Sequence, residues 1–212
     1  MTDPKRVRAA GMKSVPWRSA RFIAAAHELD ELPPDTGAEI ACAGRSNSGK
    51  SSALNAITGI GGLAKVSKTP GRTQQLVVFA FDDTRRLVDM PGYGYAKVSL
   101  SLRAHWGAML SDYFETRTCL RGLLITMDIR HPMTEIDHDM LGFGTSVQLP
   151  CHVLLTKADK LSRSQTLVTL RRVQKLLGEM SPDYSAQLFS APDKLGVDEA
   201  RQVMAAWLAE DA

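Results

Sequence analysis

Short apolar runs, most ending on a polar residue or glycine, alternate along this chain with longer stretches of helical spacing. The runs Glu39–Ala43, Leu76–Phe81, Arg86–Met90, Gly122–Asp128, Cys151–Thr156 and Ala186–Phe189 have the length of strands rather than of buried helices. Helices are predicted at about 50–58, 101–117, 134–145, 162–177 and 197–208. The fourth has Ser162 as its cap and Leu167, Leu170, Val173, Leu176 and Leu177 at helical spacing. Gly59 stops the first as a C-terminal cap. Asp82-Asp83-Thr84 is a tight turn, so the second and third strands pair antiparallel. Apolar strands alternating with helices predict an α/β fold: a mixed, mostly parallel six-stranded sheet flanked by helices.

Two stretches lack such patterning. Residues 60–74 are rich in glycine and polar residues and are expected to form a mobile loop. Residues 1 to about 15 are expected to be disordered. Residues 16–32 form an appended segment with Trp17, Phe22, Ile23 and Leu29 as packing anchors, and Pro33-Pro34-Asp35-Thr36-Gly37 is turn chemistry. The expected organisation is a basic, partly disordered extension over 1–37 and one nucleotide-binding domain over 38–212.

Composition narrows this picture. The chain has 212 residues, 44% hydrophobic and 23% charged, which suits one globular domain with an extension. No apolar run approaches the length of a membrane span, and Phe22–Ala26 is too short for the core of a signal peptide. A cytoplasmic protein without membrane contact is expected. Cys42, Cys119 and Cys151 are spaced neither as a disulfide framework nor as a metal site, and read as small buried residues. The net charge is only +3, yet Lys5, Arg6, Arg8, Lys13, Arg18 and Arg21 crowd the first 21 residues against Asp3. Such an arm either meets nucleic acid or is a solvated tail.

The chemistry centres on Gly44-Arg45-Ser46-Asn47-Ser48-Gly49-Lys50-Ser51, which is G-x-x-x-x-G-K-S between a strand and a helix. Glycines let the backbone wrap a pyrophosphate, and N–H groups at a helix N-terminus form an anion nest. Lys50 sets a charge on the terminal phosphates, and the Ser51 hydroxyl suits Mg²⁺. Asp89-Met90-Pro91-Gly92 is D-x-x-G at a strand end: Asp89 can hold Mg²⁺, and Gly92 can offer its N–H to a γ-phosphate. In Thr156-Lys157-Ala158-Asp159 one carboxylate can accept both donors of guanine, which adenine lacks, while the Lys157 stem lies along the base. Ser190 and Ala191 follow the last strand, which ends at Phe189, and could give a backbone N–H to the guanine O6. Thr69 and Thr73 are loop candidates for the Mg²⁺ shell, with Thr73, from Gly71-Arg72-Thr73-Gln74, preferred.

The order of these motifs resembles the translation-factor-related GTPases. The spellings G-R-S-N-S-G-K-S, T-P-G-R-T-Q, D-M-P-G-Y-G-Y-A and T-K-A-D together resemble the EngB (YihA/YsxC) family of bacterial GTP-binding proteins over nearly the whole chain. The resemblance implies a Ras-like P-loop GTPase fold and Mg²⁺-dependent binding of GTP and GDP. It also implies a role in assembling the large ribosomal subunit, tied to growth and division. The expected nucleotide-binding set is Gly44, Arg45, Ser46, Asn47, Ser48, Gly49, Lys50, Ser51, Ser52, Gly71, Arg72, Thr73, Gln74, Asp89, Met90, Pro91, Gly92, Thr156, Lys157, Ala158, Asp159, Phe189, Ser190 and Ala191. Lys50, Thr73 and Gly92 are the catalytic candidates, and Ser51, Thr73 and Asp89 the metal ligands. A monomer is expected.

Tyr93 stands where Ras-like GTPases carry the glutamine that orients water, so slow hydrolysis is expected. The missing group could be K⁺ held by Asn47, which resembles the N-x-G-K-S of potassium-dependent tRNA-modifying GTPases. It could also be a group from the ribosomal partner; His105 and Arg72 are weaker candidates. Two other classes stay open. A P-loop metabolic phosphotransferase would need a lid and usually an adenine site. A septation scaffold would need a protein-binding surface that no pattern here marks. Arg163, Arg171, Arg172 and Lys175 on the fourth helix suit either RNA or solvent.

Overall fold

The computed structural model describes residues 14–64, 75–93 and 100–209, with the backbone alone over 100–106. Its strands are β1 (Arg21–Ala26), β2 (Ala38–Gly44), β3 (Leu76–Ala80), β4 (Arg85–Asp89), β5 (Leu120–Asp128), β6 (Cys151–Thr156) and β7 (Tyr184–Leu188). Its helices are α1 (Lys50–Thr58), α2 (Leu100–Thr116), α3 (Glu135–Ser146), α4 (Arg163–Met180) and α5 (Val197–Trp207). The strands form one sheet in the order β1-β3-β4-β2-β5-β6-β7. β3 runs against β1 and β4, and every other pairing is parallel.

The sheet thus has seven strands rather than the six expected. The addition is β1, inside the segment read as an appendage. Arg21–Ala26 pairs with β3 across a bulge between Phe22 and Ala24. Its sequence hides it: the alanines are weak strand formers, and Phe22 and Ile23 are 59% and 39% exposed rather than packed. Trp17 and Leu29 do anchor, Trp17 edge-on to Phe81 at 5.1 Å and Leu29 against the core on the α2 side.

Side chains of the central strands alternate between the two faces, as the two-residue period requires. Ala41, Ala43, Leu123, Ile125, Val153 and Leu155 pack with residues of α2, α3 and α4. Ile40, Cys42, Leu124 and Leu154 pack with α1 and α5. On α4 the buried positions are Thr166, Val173 and Leu177. Leu167, expected in the core, is instead 40% exposed beside Val168 at 68%. Thr166 takes the inward place because its hydroxyl bonds back to the Arg163 carbonyl at 2.8 Å and needs no other partner. Ser162 caps the helix with Gln165 in a reciprocal capping box.

The amino end of β2 carries Glu39, whose side chain is fully buried. Arg117 Nε and Nη2 donate to its carboxylate at 3.2 and 3.1 Å, and the Tyr113 hydroxyl donates at 2.8 Å. Arg86 adds a second cation at 3.4 Å. A buried carboxylate needs this many partners to offset its lost hydration. The network fastens the end of α2 to the first residues of β2. Tyr113→Phe removes one donor to a buried charge, so we expect a loss of about 1.5–3 kcal/mol in urea unfolding.

Candidate functional site

The strand order reverses at β2: β4 lies on one side and β5 on the other. A crevice opens at the carboxyl end of such a strand. Gly44 closes β2 there, and the loop to α1 is held from both neighbours. The Ser48 and Thr126 hydroxyls lie 2.7 Å apart. The Thr156 hydroxyl donates to the Ser48 carbonyl and, at 3.1 Å, to that of Met127. Lys157 Nζ donates to the Asn47 carbonyl at 2.7 Å. A Cβ on Gly44 would stand 2.1 Å from Thr126 Oγ1, so only glycine fits. Asn47 and Gly49 adopt positive φ of 62° and 93°, and α1 starts at Lys50. The turn presents consecutive N–H groups at a helix N-terminus, an anion nest.

The predicted residues gather around this loop. Lys50 forms an ion pair with Asp89 at the end of β4. Ser51 lies one residue along α1, and Ser52 is exposed beside it. Asp89, by its ion pair, and Ser51, by its place on α1, are therefore both next to Lys50. One carboxylate plus one hydroxyl is the sparse oxygen set that Mg²⁺ takes when phosphates and waters supply the rest. The described residues hold no cluster of three or more His, Cys, Asp or Glu fit for a metal. A Mg²⁺ held by Ser51 and Asp89 would offset phosphate charge. Met90 is buried to 1%, and its N–H donates to the Cys42 carbonyl at 2.9 Å, continuing the β2–β4 pairing. Pro91 and Gly92 follow it on the mouth of the crevice.

The base-side loops also converge. Lys157, in a left-handed conformation (φ 59°), reaches both the P-loop and Asp128 Oδ2, at 2.9 Å. Arg130 clamps the same carboxylate at 3.0 and 2.7 Å and, with Lys157, holds it well below the usual carboxylate range. The Ser190 hydroxyl lies 2.9 Å from Asp159 Oδ1 and 3.2 Å from Asp193 Oδ2, donating its one proton to either. Lys160 pairs with Asp159 at 2.9 Å and, with Ser190, lowers its pKa. Ala158 donates its N–H to the Phe189 carbonyl at 3.1 Å, which ties the two loops together. Behind them Gln187, held by His152 at 2.8 Å, donates to the Gly196 carbonyl at 2.7 Å.

Some predicted members meet the site through backbone alone. Phe189, Met90 and Ala158 have buried side chains. Thr69, Gly71, Arg72, Thr73 and Gln74 lie outside the described residues, as does the side chain of His105. Thr126, Asp128, Ser190 as a partner of Asp159, and Asp137 at the start of α3 were not assigned these contacts from the sequence. Asp137 stands three residues after the helix cap Thr134, in a reciprocal capping box with it.

A family model described as "50S ribosome-binding GTPase" matches residues 39–157. A probable GTP-binding protein EngB of Stenotrophomonas maltophilia (strain K279a) is 57% identical over 190 residues, 89% of this chain and 95% of that protein. The chain belongs to the EngB family of GTP-binding proteins. A family member from Xanthomonas euvesicatoria pv. vesicatoria (strain 85-10) is 53% identical, covering 91% of this chain and 93% of its own. A crystal structure of a probable GTP-binding protein engB shares the fold, with a TM-score of 0.65 at 18% identity over 82% of this chain and 100% of that one. Era, solved with MgGDPNP and a 16S ribosomal RNA segment, gives 0.63 at 21% over 84% and 58%. Membership makes this chain a P-loop GTPase that converts GTP to GDP and phosphate. No helix among the described residues is long and apolar enough to cross a membrane.

With guanine as the base, Asp159→Asn exchanges one acceptor for a donor against the N1–H and 2-amino pair. GDP affinity should drop about 100-fold or more in a titration, while XDP, whose 2-oxo group accepts, gains. Because the pKa of Asp159 is lowered, the carboxylate stays ionised through neutral and mildly acidic pH. GDP affinity should be flat there and fall only as pH drops through that lowered value.

Proposed function

We propose that this GTPase is a Mg²⁺-dependent, GTP-gated switch in assembly of the large ribosomal subunit, acting in the cytoplasm as a monomer and needed for normal growth and division. The observation that carries the ribosomal part is the match over residues 39–157 to a family described as 50S ribosome-binding. The surface chemistry favours a polyanion: Arg163, Arg171, Arg172 and Lys175 are all exposed on α4, with Glu179 near its end. In this reading Gly44 to Ser52 wrap the phosphates, Lys50 neutralises the terminal ones, and Ser51 and Asp89 hold Mg²⁺, joined by Thr73. Thr156 to Asp159 and Ser190-Ala191 read guanine. Gly92 answers the γ-phosphate, and Gly71, Arg72 and Gln74 complete that side.

Sedimentation with purified large subunits tests the switch. Co-sedimentation with a non-hydrolysable GTP analogue, much weaker with GDP and weakening as salt rises, is the expected result. Absence of binding in both states would remove the ribosome and bring a septation partner forward.

Hydrolysis is expected to be slow, because Tyr93 occupies the place of the water-orienting glutamine. Asn47 is exposed on the P-loop, where its side-chain oxygen is available to K⁺. A cation there would stabilise charge developing between the β- and γ-phosphates. Turnover should be several-fold higher in KCl than in NaCl; equal rates would dismiss K⁺ as the activator.

A further inference from the structure

Tyr93 follows Asp89-Met90-Pro91-Gly92, and its contacts lead away from solvent. Its hydroxyl donates to Oδ1 of Asp137 at 3.2 Å, a carboxylate with no exposed surface. Oδ2 of Asp137 accepts the Thr134 N–H at 3.0 Å and the Thr134 hydroxyl at 2.8 Å. Arg45 of the P-loop brings its Nε to 3.5 Å from the same oxygen, while its Nη2 donates to the His131 carbonyl at 3.0 Å. One buried carboxylate therefore gathers the P-loop, the residue after D-x-x-G and the start of α3. Burial, reinforced by Asp137, pushes the phenol pKa well up, so Tyr93 stays a neutral donor.

The backbone makes the same connection. The Tyr93 N–H donates to the Gly44 carbonyl at 3.3 Å, and the Ser46 N–H donates to the Tyr93 carbonyl at 3.2 Å. This bridge between Arg45 and Tyr93 carries the parallel β2–β4 pairing past the end of β4. It has a cost for a ligand. Ser46 belongs to the loop that wraps phosphate, and its N–H cannot serve both the Tyr93 carbonyl and a terminal phosphate. A carbonyl oxygen beside phosphate oxygens also repels them. The start of α1, at Gly49 to Ser51, takes no part in the contact, so the nest for the inner phosphates is left as it is.

We propose that Tyr93 is a specificity-determining residue that favours GDP over GTP: seated on Asp137, its phenol latches Gly92–Tyr93 onto the P-loop, and a third phosphate must displace the latch. The proposal rests on the GTPase reading of this site. Asp137 and Arg45 are positioning residues for the latch.

The test compares full-length protein with Tyr93→Phe and Asp137→Asn, titrated with fluorescent GDP and a non-hydrolysable GTP analogue in Mg²⁺. Loss of one hydrogen bond to a buried carboxylate should lower the ratio of the analogue's Kd to that of GDP by roughly three- to tenfold. The Kd for GDP itself should stay within about twofold on the same reasoning. Phe keeps the ring and the packing, so it also guards against a folding defect in the Asp137 variant. An unchanged ratio in Tyr93→Phe overturns the proposal, as does an equal loss of affinity for both nucleotides, which marks Tyr93 as merely structural. Failure of the unaltered protein to bind either nucleotide would sink the GTPase reading and the latch with it.

Discussion

The phosphate loop keeps its shape because hydroxyls from two neighbouring strands hold it. Thr126 of β5 meets the Ser48 side chain, and Thr156 of β6 meets the Ser48 carbonyl. Both threonines are buried to 3% or less, where a donor without a partner is costly. The loop must therefore supply those partners in one conformation. That restraint supports the left-handed φ of 62° at Asn47, a conformation uncommon outside glycine. It also explains why β5 and β6 end level with the loop: their last turns of sequence serve both the sheet and the site.

Among the described residues, the charges of the site are already paired within the protein. Lys50 has Asp89, Lys157 has Asp128, Arg45 has Asp137, and Asp159 has Lys160. Ligand binding is then an exchange of partners rather than a simple gain of contacts. The net affinity is the difference between two paired states, which is smaller than either attraction alone. Such a site discriminates by which pairs a ligand can replace. In the proposed function, a guanine offers Asp159 two aligned donors, and phosphate oxygens offer Lys50 an alternative to Asp89.

Most of the fold was legible because the central strands are uniformly apolar and their breaks fall on glycine and polar residues. The P-loop, Asp89 and Thr156–Asp159 were legible because spacing along the chain fixes their place at strand ends. What stayed hidden depends on tertiary contact. β1 gains its partner only from β3, and its Arg-Phe-Ile-Ala-Ala-Ala spelling signals no face. Leu167 fits the helical pattern but loses the inward position to Thr166, whose hydroxyl is satisfied within its own turn. The Ser190–Asp159 and Tyr93–Asp137 contacts join residues 31 and 44 positions apart. Neither pair has a sequence pattern, since only folding sets the distance.

At the opposite end of the sheet, the Glu39 network fixes α2 near its last turn, through Tyr113 and Arg117. That anchor is a pivot for the helix. From Tyr113 back to Leu100 the helix is about 20 Å long, so a tilt of about 10° at the buried carboxylate would swing its leading end by roughly 3 Å. The leading end is the one that follows the D-x-x-G loop. The fulcrum of any such swing would be the salt-bridged floor of β2, the strand that carries the phosphate loop at its other end.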